Sequence, residues 1–440
     1  MRNRLWAVAA AVALFIGGAR AAEPADTVRE LPPSNVDPLD HSFFAPVDRP
    51  EGMFGPPAGT LADAVAPPEL PSVACSPCCP PEFVTWLTAE WLIGRARGMS
   101  LVPVVTTGPA AAGALAGSVG QPGTLPLFGG NRILNDWRSG LRVEAGVWFD
   151  ADHTSGASAR VYTLFSATDR LSLRPDGTAV VDVPQFAQAG AAVVQVPAFV
   201  GFPGLTSGRV DALARTTFLG GDVSLRRLVG SGDGYRVELL GGYRHMYLRD
   251  ELNLSFAANP AVAIPGLMSQ LSGSDSLRTR NNFAGPQVGL VASTGGKRFL
   301  LEAHAAAALG VTVSDIDYAR ARVATAGAAG GPLAVATALV ALGVPAATAA
   351  QVAAAAATNT VPFGRTVLND SRTYFGVVGE GGLRAKWFVT DHLRLTAGYS
   401  FLYWNNVRRG PQEFTGTPAL LPRAADFTTH LFNLGMEVRY

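Results

Sequence analysis

The chain of 440 residues contains 49 glycines and 31 prolines, and only 16% of its residues are charged. This composition is atypical of a helical enzyme, while the 48% hydrophobic content excludes wholesale disorder. The net charge of +1 excludes nucleic acid as a default partner, because a protein that tracks phosphates needs a concentrated basic surface.

The amino terminus has the features of a secretory signal peptide. Two arginines precede an apolar run over residues 5–16, and Ala19 and Ala21 supply the small residues that a signal peptidase reads. The run is too short to cross a bilayer as a helix. We therefore expect residues 1–21 to be cleaved and the mature protein to leave the cytoplasm.

Residues 22–81 form a proline-rich segment with four Pro-Pro doublets. Because proline fixes φ and lacks a backbone donor, this segment is expected to be an extended periplasmic leader or linker that adds little core. It is either a tether or partner-docking arm, or a plain solvated leader.

All three cysteines, Cys75, Cys78 and Cys79, lie near the end of this leader. A redox Cys-x-x-Cys motif needs a helix N-terminus, which the two prolines that follow do not permit. No second ligand cluster for a metal lies nearby. One local disulfide with one unpaired thiol is the simplest expectation, and the pairing stays open.

Beyond residue 81, apolar and polar residues alternate with period 2, which is typical of β-strands with two unlike faces. The pattern predicts ten strands, with twelve as the alternative count. They lie near residues 83–94, 138–149, 155–171, 215–228, 235–249, 280–293, 297–312, 373–388, 393–404 and 428–440.

Short and long connections alternate between these strands. Turns of a few Gly, Asp and Ser residues follow every second strand, and long links near 95–137, 172–214, 250–279, 313–372 and 405–427 follow the others. Membrane barrels have short periplasmic turns and long outer loops, and their strands of about ten residues span the apolar layer. Residues 82–440 are therefore predicted to form an all-β, closed, antiparallel up-and-down transmembrane β-barrel.

The polar faces carry seven acids and eight bases, which we predict to line the lumen. A soluble lipocalin-like barrel would place these residues outside, but near-equal numbers of opposite charges suit a narrow interior in which ions must pair. The candidates are Glu90, Arg142, Glu144, Arg160, Asp222, Arg226, Glu238, Arg244, Glu302, Glu380, Arg384, Lys386, Arg394, Glu437 and Arg439.

Several blocks resemble the bacterial beta-barrel porin family 7, a family of outer-membrane barrels, from about residue 83 to the end. The most specific block runs from Asp391 through Tyr399 to Trp404, and Ala89-Glu90-Trp91-Leu92 is a weaker one. The resemblance implies location and fold more firmly than transport. The last strand also resembles the insertion signal that the outer-membrane assembly machinery reads, with alternating residues Phe432, Leu434, Met436, Val438 and Tyr440.

Residues 319–360 depart from the barrel pattern, since they are nearly all Ala, Val, Leu, Gly and Thr. They predict a loop, with helices near 333–342 or 346–357, that either folds into the barrel mouth or extends outside as a flexible apolar surface.

The chain lacks a Gly-x-Ser-x-Gly elbow, a phosphate loop, a His-Glu-x-x-His motif and a calcium loop, so no catalytic residue, metal site or cofactor is predicted. His304 beside Glu302 is expected to be an interior histidine satisfied by charge rather than a catalytic one.

These observations predict an outer-membrane barrel that acts as a passive, porin-like channel with a narrow or partly plugged lumen. The alternative is a structural or adhesive surface barrel without an open channel, and an outer-membrane hydrolase is a minor third reading. The expected partners are outer-membrane lipid and the assembly machinery, without nucleic acid. The solute and the oligomeric state stay open.

Overall fold

The computed structural model describes residues 83–189, 192–260, 270–325, 364–410 and 424–440, with four isolated positions between 337 and 350. The predicted signal peptide, the leader and the three cysteines lie outside the described residues. Ten long strands form one sheet. They are β1 Val84–Ala96, β2 Arg138–Trp148, β3 Ser155–Leu173, β4 Thr206–Gly232, β5 Tyr235–Pro260, β6 Gln270–Gly295, β7 Phe299–Thr325, β8 Gly364–Phe388, β9 Leu393–Arg408 and β10 Ala424–Arg439.

The sheet closes on itself as an antiparallel barrel in which each strand pairs with its neighbours in sequence. Strand β1 pairs with β2 on one side and with β10 on the other, so that Leu87 faces Ala145 and Val438. The predicted all-β, up-and-down transmembrane barrel is confirmed, and its strand count is ten rather than twelve.

The predicted strand ends next to the short turns agree closely with the structure. Next to the long links, the predicted ends of β1, β2 and β3 also agree, whereas the strands from β4 to β10 continue further than predicted. Strand β5 continues to Pro260 rather than stopping near 249, and β7 continues to Thr325 rather than 312. Residues 319–325 are therefore strand and not loop. The links predicted at 250–279 and 313–372 shrink to the residues between β5 and β6 and between β7 and β8.

The strands are longer than predicted because the polarity of their two faces is exchanged partway along their length. On β4 the outward residues near the turn are apolar, as in Val223 and Leu225, whereas those near the long link are polar, as in Arg209 and Arg215. The inward residues change the opposite way, and Ala212 near the link is fully buried. We call the ring of outward apolar residues the apolar belt, and the strand portions between it and the long links the outer extension.

Two long links fold back against the barrel. Residues 97–137 and 174–205 contribute Val105–Thr107, Leu125–Phe128, Val181–Asp182 and Phe199–Gly201 to a separate four-stranded sheet. We call these two links together the plug. Within 319–360, the four isolated described positions are helical. Among the described residues, no helix is both long and apolar enough to cross a bilayer.

Candidate functional site: a filled lumen

Inside the belt, the barrel holds a layer of ionised side chains. All fifteen charged residues predicted for the lumen occupy inward positions of their strands, where they are buried or half-buried. Fourteen ion pairs of 3.5 Å or less join these residues to one another, because antiparallel pairing puts acids and bases at similar heights. We call these fifteen residues the charged layer.

The centre of the charged layer is a pair that crosses the barrel. The guanidinium of Arg160 on β3 donates two hydrogen bonds of 2.7 Å to the carboxylate of Glu380 on β8. These strands lie five apart in a ring of ten, so the pair spans opposite walls. Arg160 also contacts Asp222 at 2.7 Å, and Arg244, fully buried, contacts Glu380 at 2.6 Å. Two side chains are therefore enough to bridge the lumen.

A second group of buried ion pairs, centred on Glu90, joins β1, β2 and β8. Glu90 is 1% exposed and accepts hydrogen bonds from Arg142 and Arg384, each at 3.3 Å, as well as from Thr396 and Asn433. Arg384 reaches Glu144 across the lumen at 3.5 Å. The carboxylate of Glu90 is thus fully partnered, as a buried charge requires.

Toward the short turns the lumen widens into a cavity of about 350 Å³, which we call the vestibule. Lys386 lies 3.0 Å from both Glu302 and Glu437, and Glu437 also contacts Arg394 and Arg439. Next to the Arg160–Glu380 pair lies a smaller pocket of about 40 Å³. The vestibule therefore ends at the charged layer.

On the other side of the charged layer, the lumen is packed with apolar side chains. Phe218 on β4 and Phe427 on β10 are fully buried, and their ring centroids lie 5.0 Å apart. Trp404 packs edge-on against Phe283 and donates a hydrogen bond of 3.0 Å from Nε1 to Thr312. Buried Trp is stable only with such a partner for its N–H. We call this group the aromatic layer.

The plug closes the lumen above the aromatic layer. Its apolar residues, such as Val105, Phe128 and Val183, pack in one core with inward residues of the outer extension, such as Leu252 and Ile316. The plug explains why the polarity of the strand faces is exchanged. In the outer extension the inward side covers a protein core, while the outward side meets water.

One carboxyl group lies inside the plug. Asp182 is fully buried, and its Oδ1 accepts a hydrogen bond of 2.7 Å from the backbone N–H of Ala198. Oδ2 is buried and has no hydrogen-bond partner among the described residues. Desolvation therefore raises the pKa of Asp182 to about 8, although the N–H groups of Ala198 and Val183 act against this shift.

Several charged residues of the interior were missed by the sequence reasoning. Arg236, near the vestibule, donates a hydrogen bond of 2.7 Å to Glu238, and the strand alternation was a sufficient signal for it. Two buried pairs in the outer extension, Arg409–Asp250 at 2.9 Å and Arg322–Asp275 at 2.5 Å, lie where loops were predicted. The alternation of apolar and polar residues predicted strands only up to the belt, so neither pair was predicted; Arg322 and Asp275 lie on the adjacent strands β7 and β6, whereas Arg409 follows β9 and reaches Asp250 on β5.

Two of the described histidines contact polar side chains of the barrel. His304 lies 3.6 Å from Glu380 in the lumen, and His430, exposed on the outward face, shares a hydrogen bond of 2.7 Å with the hydroxyl of Tyr399. Among the described residues, no group of three or more His, Cys, Asp or Glu side chains is placed to hold a metal ion.

The cross-lumen pair yields a stability prediction. Glu380→Gln leaves Asp222 to compensate two buried cations, Arg160 and Arg244, so the free energy of unfolding should fall by about 3–5 kcal/mol. Urea unfolding of the barrel in lipid vesicles measures this change. The control is Asp317→Asn, which breaks an ion pair to Arg280 on the outer surface and should cost at most about 1 kcal/mol. Equal losses in the two variants would contradict a bridging role for Glu380.

The buried carboxyl group yields a pH prediction. Between pH 4 and pH 8 Asp182 binds its proton in the folded plug but not in the open one, so plug stability is greatest below about pH 4 and falls as the pH rises to about 8. Hydrogen-exchange protection of the Ala198 amide should therefore decrease with pH in the parent protein and stay level in Asp182→Asn. Asp176→Asn, an exposed change in the same link, should behave as the parent does. The same pH slope in Asp182→Asn would show that another group titrates.

Comparison with solved structures gives distant similarities. In fold, the chain is similar to the outer membrane protease OmpT from Escherichia coli, with 8% identity and a TM-score of 0.34, over 82% of this chain and 97% of that one. It is also similar to a FadL homologue of Pseudomonas aeruginosa, with 10% identity and a TM-score of 0.24, over 81% and 90%. Likenesses this distant say nothing about activity.

A search of curated proteins finds no match. The sequence profile of a family described as "Putative beta barrel porin-7" matches residues 86–440, which include the whole barrel except the first two residues of β1. The expected family is thereby confirmed, and the chain belongs to the beta barrel porin-7 family.

Proposed function

We propose that this protein is an outer-membrane barrel that is sealed at rest and acts as a structural scaffold for a surface-exposed extension. The observation that carries the proposal is the bidentate Arg160–Glu380 pair across the lumen, between walls five strands apart. A hydrated ion would have to separate this pair and then cross the aromatic layer. Both steps are costly, because the first exposes unpaired buried charges and the second removes water from the ion.

The outer extension supports the scaffold role. From Thr206 to about residue 217, β4 rises roughly 30 Å beyond the belt, given about 3.3 Å per residue and a tilt of about 40°. The plug fills this extension with a protein core of its own. A rigid polar cylinder of this kind suits adhesion, surface packing or attachment to envelope components.

Secretion and assembly follow from the same proposal. Cleavage after residue 21 delivers the chain to the periplasm, and the leader over residues 22–81 remains there. The last strand is the proposed insertion signal, in which Phe432, Leu434 and Met436 are about half to two-thirds exposed on the outward face. Tyr440 exchanges two backbone hydrogen bonds of 2.9 Å with Thr85, which supports a role of the terminus in closing the ring. The protein is proposed to have no enzymatic activity.

A passive channel is the second candidate. Membership in a porin-like family favours it, and so does the vestibule, whose volume of about 350 Å³ admits a small solute from the turn side. Conduction would then require the plug and the aromatic layer to move aside. Since the vestibule combines acids and bases, such a channel would select weakly between ions.

Planar-bilayer recording separates the two candidates. We expect no stepwise current from the purified barrel, because the lumen is filled at three levels. Insertion is verified by flotation of the protein with vesicles and by a compact gel form that boiling converts to the unfolded one. A general-diffusion porin treated identically is the positive control. Stepwise currents from verified, inserted protein would overturn the sealed barrel and support the channel.

A further inference from the structure

Arginines crowd one side of the outer extension, directly above the apolar belt. They lie on the outward faces of the adjacent strands β3, β4, β5 and β6, and their side chains are exposed or half-buried. We call this surface the outer arginine face. Its members are Arg170, Arg209, Arg215, Arg249, Arg278 and Arg280.

The change from apolar to basic residues is abrupt. Leu219 and Tyr247 are cross-strand neighbours at the edge of the belt. At the next outward position Tyr247 is followed on β5 by Arg249, and Asn282 on β6 is followed by Arg280. A surface that is apolar below and cationic above matches a lipid, with its acyl chains against the belt and its anionic headgroup against the arginines.

The arginines are incompletely neutralised. On these four strands the outward acids of the extension are Asp211, which pairs with Arg209, and Glu251, which lies 2.5 Å from Arg249 and 3.0 Å from Arg278. Asp317 on β7 contacts Arg280. Arg215 donates a hydrogen bond of 3.2 Å to a neutral partner, the hydroxyl of Ser166. The face therefore keeps a positive charge that an anion would offset.

Two of these arginines are placed against each other. Arg249 and Arg280 are direct cross-strand partners on β5 and β6. Like charges at opposed positions destabilise a sheet. Each of these arginines pairs with one carboxylate, Glu251 or Asp317, and an anion between the two guanidinium groups would reduce their mutual repulsion further. Arginine is also the side chain best suited to phosphate, because its planar fork donates two parallel hydrogen bonds.

A groove above the arginines adds a second, independent feature. It encloses about 390 Å³ on the same outward face and is lined by Arg170, Asp211, Asn253, Ser255, Ser274 and Ser276, among others. Hydroxyl, amide and carboxylate groups of this kind recognise the hydroxyls of a sugar. Phosphate below and sugar above are the two parts of a phosphorylated glycolipid headgroup.

We propose that the outer arginine face binds the headgroup of a phosphorylated glycolipid in the surrounding leaflet, with phosphate between Arg249 and Arg280. This interaction rests on the proposed outer-membrane location and goes beyond it, since a barrel spans a bilayer without selecting a lipid. Bound lipid fixes the depth and rotation of the barrel on one side.

Lipid binding to the purified, full-length barrel in detergent tests the proposal by native mass spectrometry. The probe is lipid A, a bis-phosphorylated glycolipid, with its dephosphorylated form as the matched lipid and inorganic phosphate as the free anion. The variant is Arg249→Gln with Arg280→Gln. The control is Arg227→Gln, an exposed arginine at the turn end of the same barrel side.

The double variant should weaken lipid A binding about tenfold, while Arg227→Gln and the parent should agree within about twofold. The dephosphorylated lipid should bind the parent about tenfold more weakly. Equal binding of the two lipids, equal loss in the Arg227 control, or full displacement by inorganic phosphate would each overturn the proposal. The compact gel form of every variant shows that it folds, so these outcomes leave the sealed barrel itself unaffected.

Discussion

A closed ten-stranded sheet directs every second side chain into a lumen too narrow for unpaired charge, and the rest of the structure depends on this constraint. Charged residues in the lumen have to find partners across it, as Arg160 does with Glu380 between opposite walls. The outward side chains then have to be apolar where lipid surrounds the sheet. Both requirements leave the same period-2 pattern in the sequence.

The belt portion of the barrel was predictable because both faces carry information there. On β9, apolar Leu395 and Tyr399 alternate with polar Thr396 and Ser400, which pins both the strand and its register. The fifteen lumen residues follow from the same alternation. Their pairing does not, since the contact between Arg384 and Glu144 depends on barrel curvature and strand stagger.

The sequence pattern did not predict the outer extension, and the reason is physical. Above Thr217 the apolar residues of β4 turn inward and the polar ones outward, so a search for one continuous apolar face ends at the belt. Sequence patterns also could not predict the plug. Its strand Val181–Asp182 has two residues, and it is stabilised by packing on distant strands rather than by local propensity.

The inversion also links the two proposals. In the described residues, a protein core fills the outer extension, and this filling is the feature on which the proposed structural role rests. The outward side of the same extension is free to be polar, and on one side it is rich in arginine rather than evenly charged. The proposed seal uses the inward face of these strands, and the proposed lipid site uses their outward face. A separate experiment tests each proposal.

The position of the apolar belt inside the bilayer can be measured by spin-label accessibility. In a chain whose three cysteines are replaced by serine, single labels at Leu225 and Ser255 both point outward, one in the belt and one in the extension. After reconstitution into vesicles, a belt in lipid and an extension in water should give opposite responses. Dissolved oxygen should relax the label at 225, and a water-soluble nickel chelate should relax the label at 255. Strong relaxation of the label at 225 by the nickel chelate would contradict this arrangement, because the apolar belt would then lie in water.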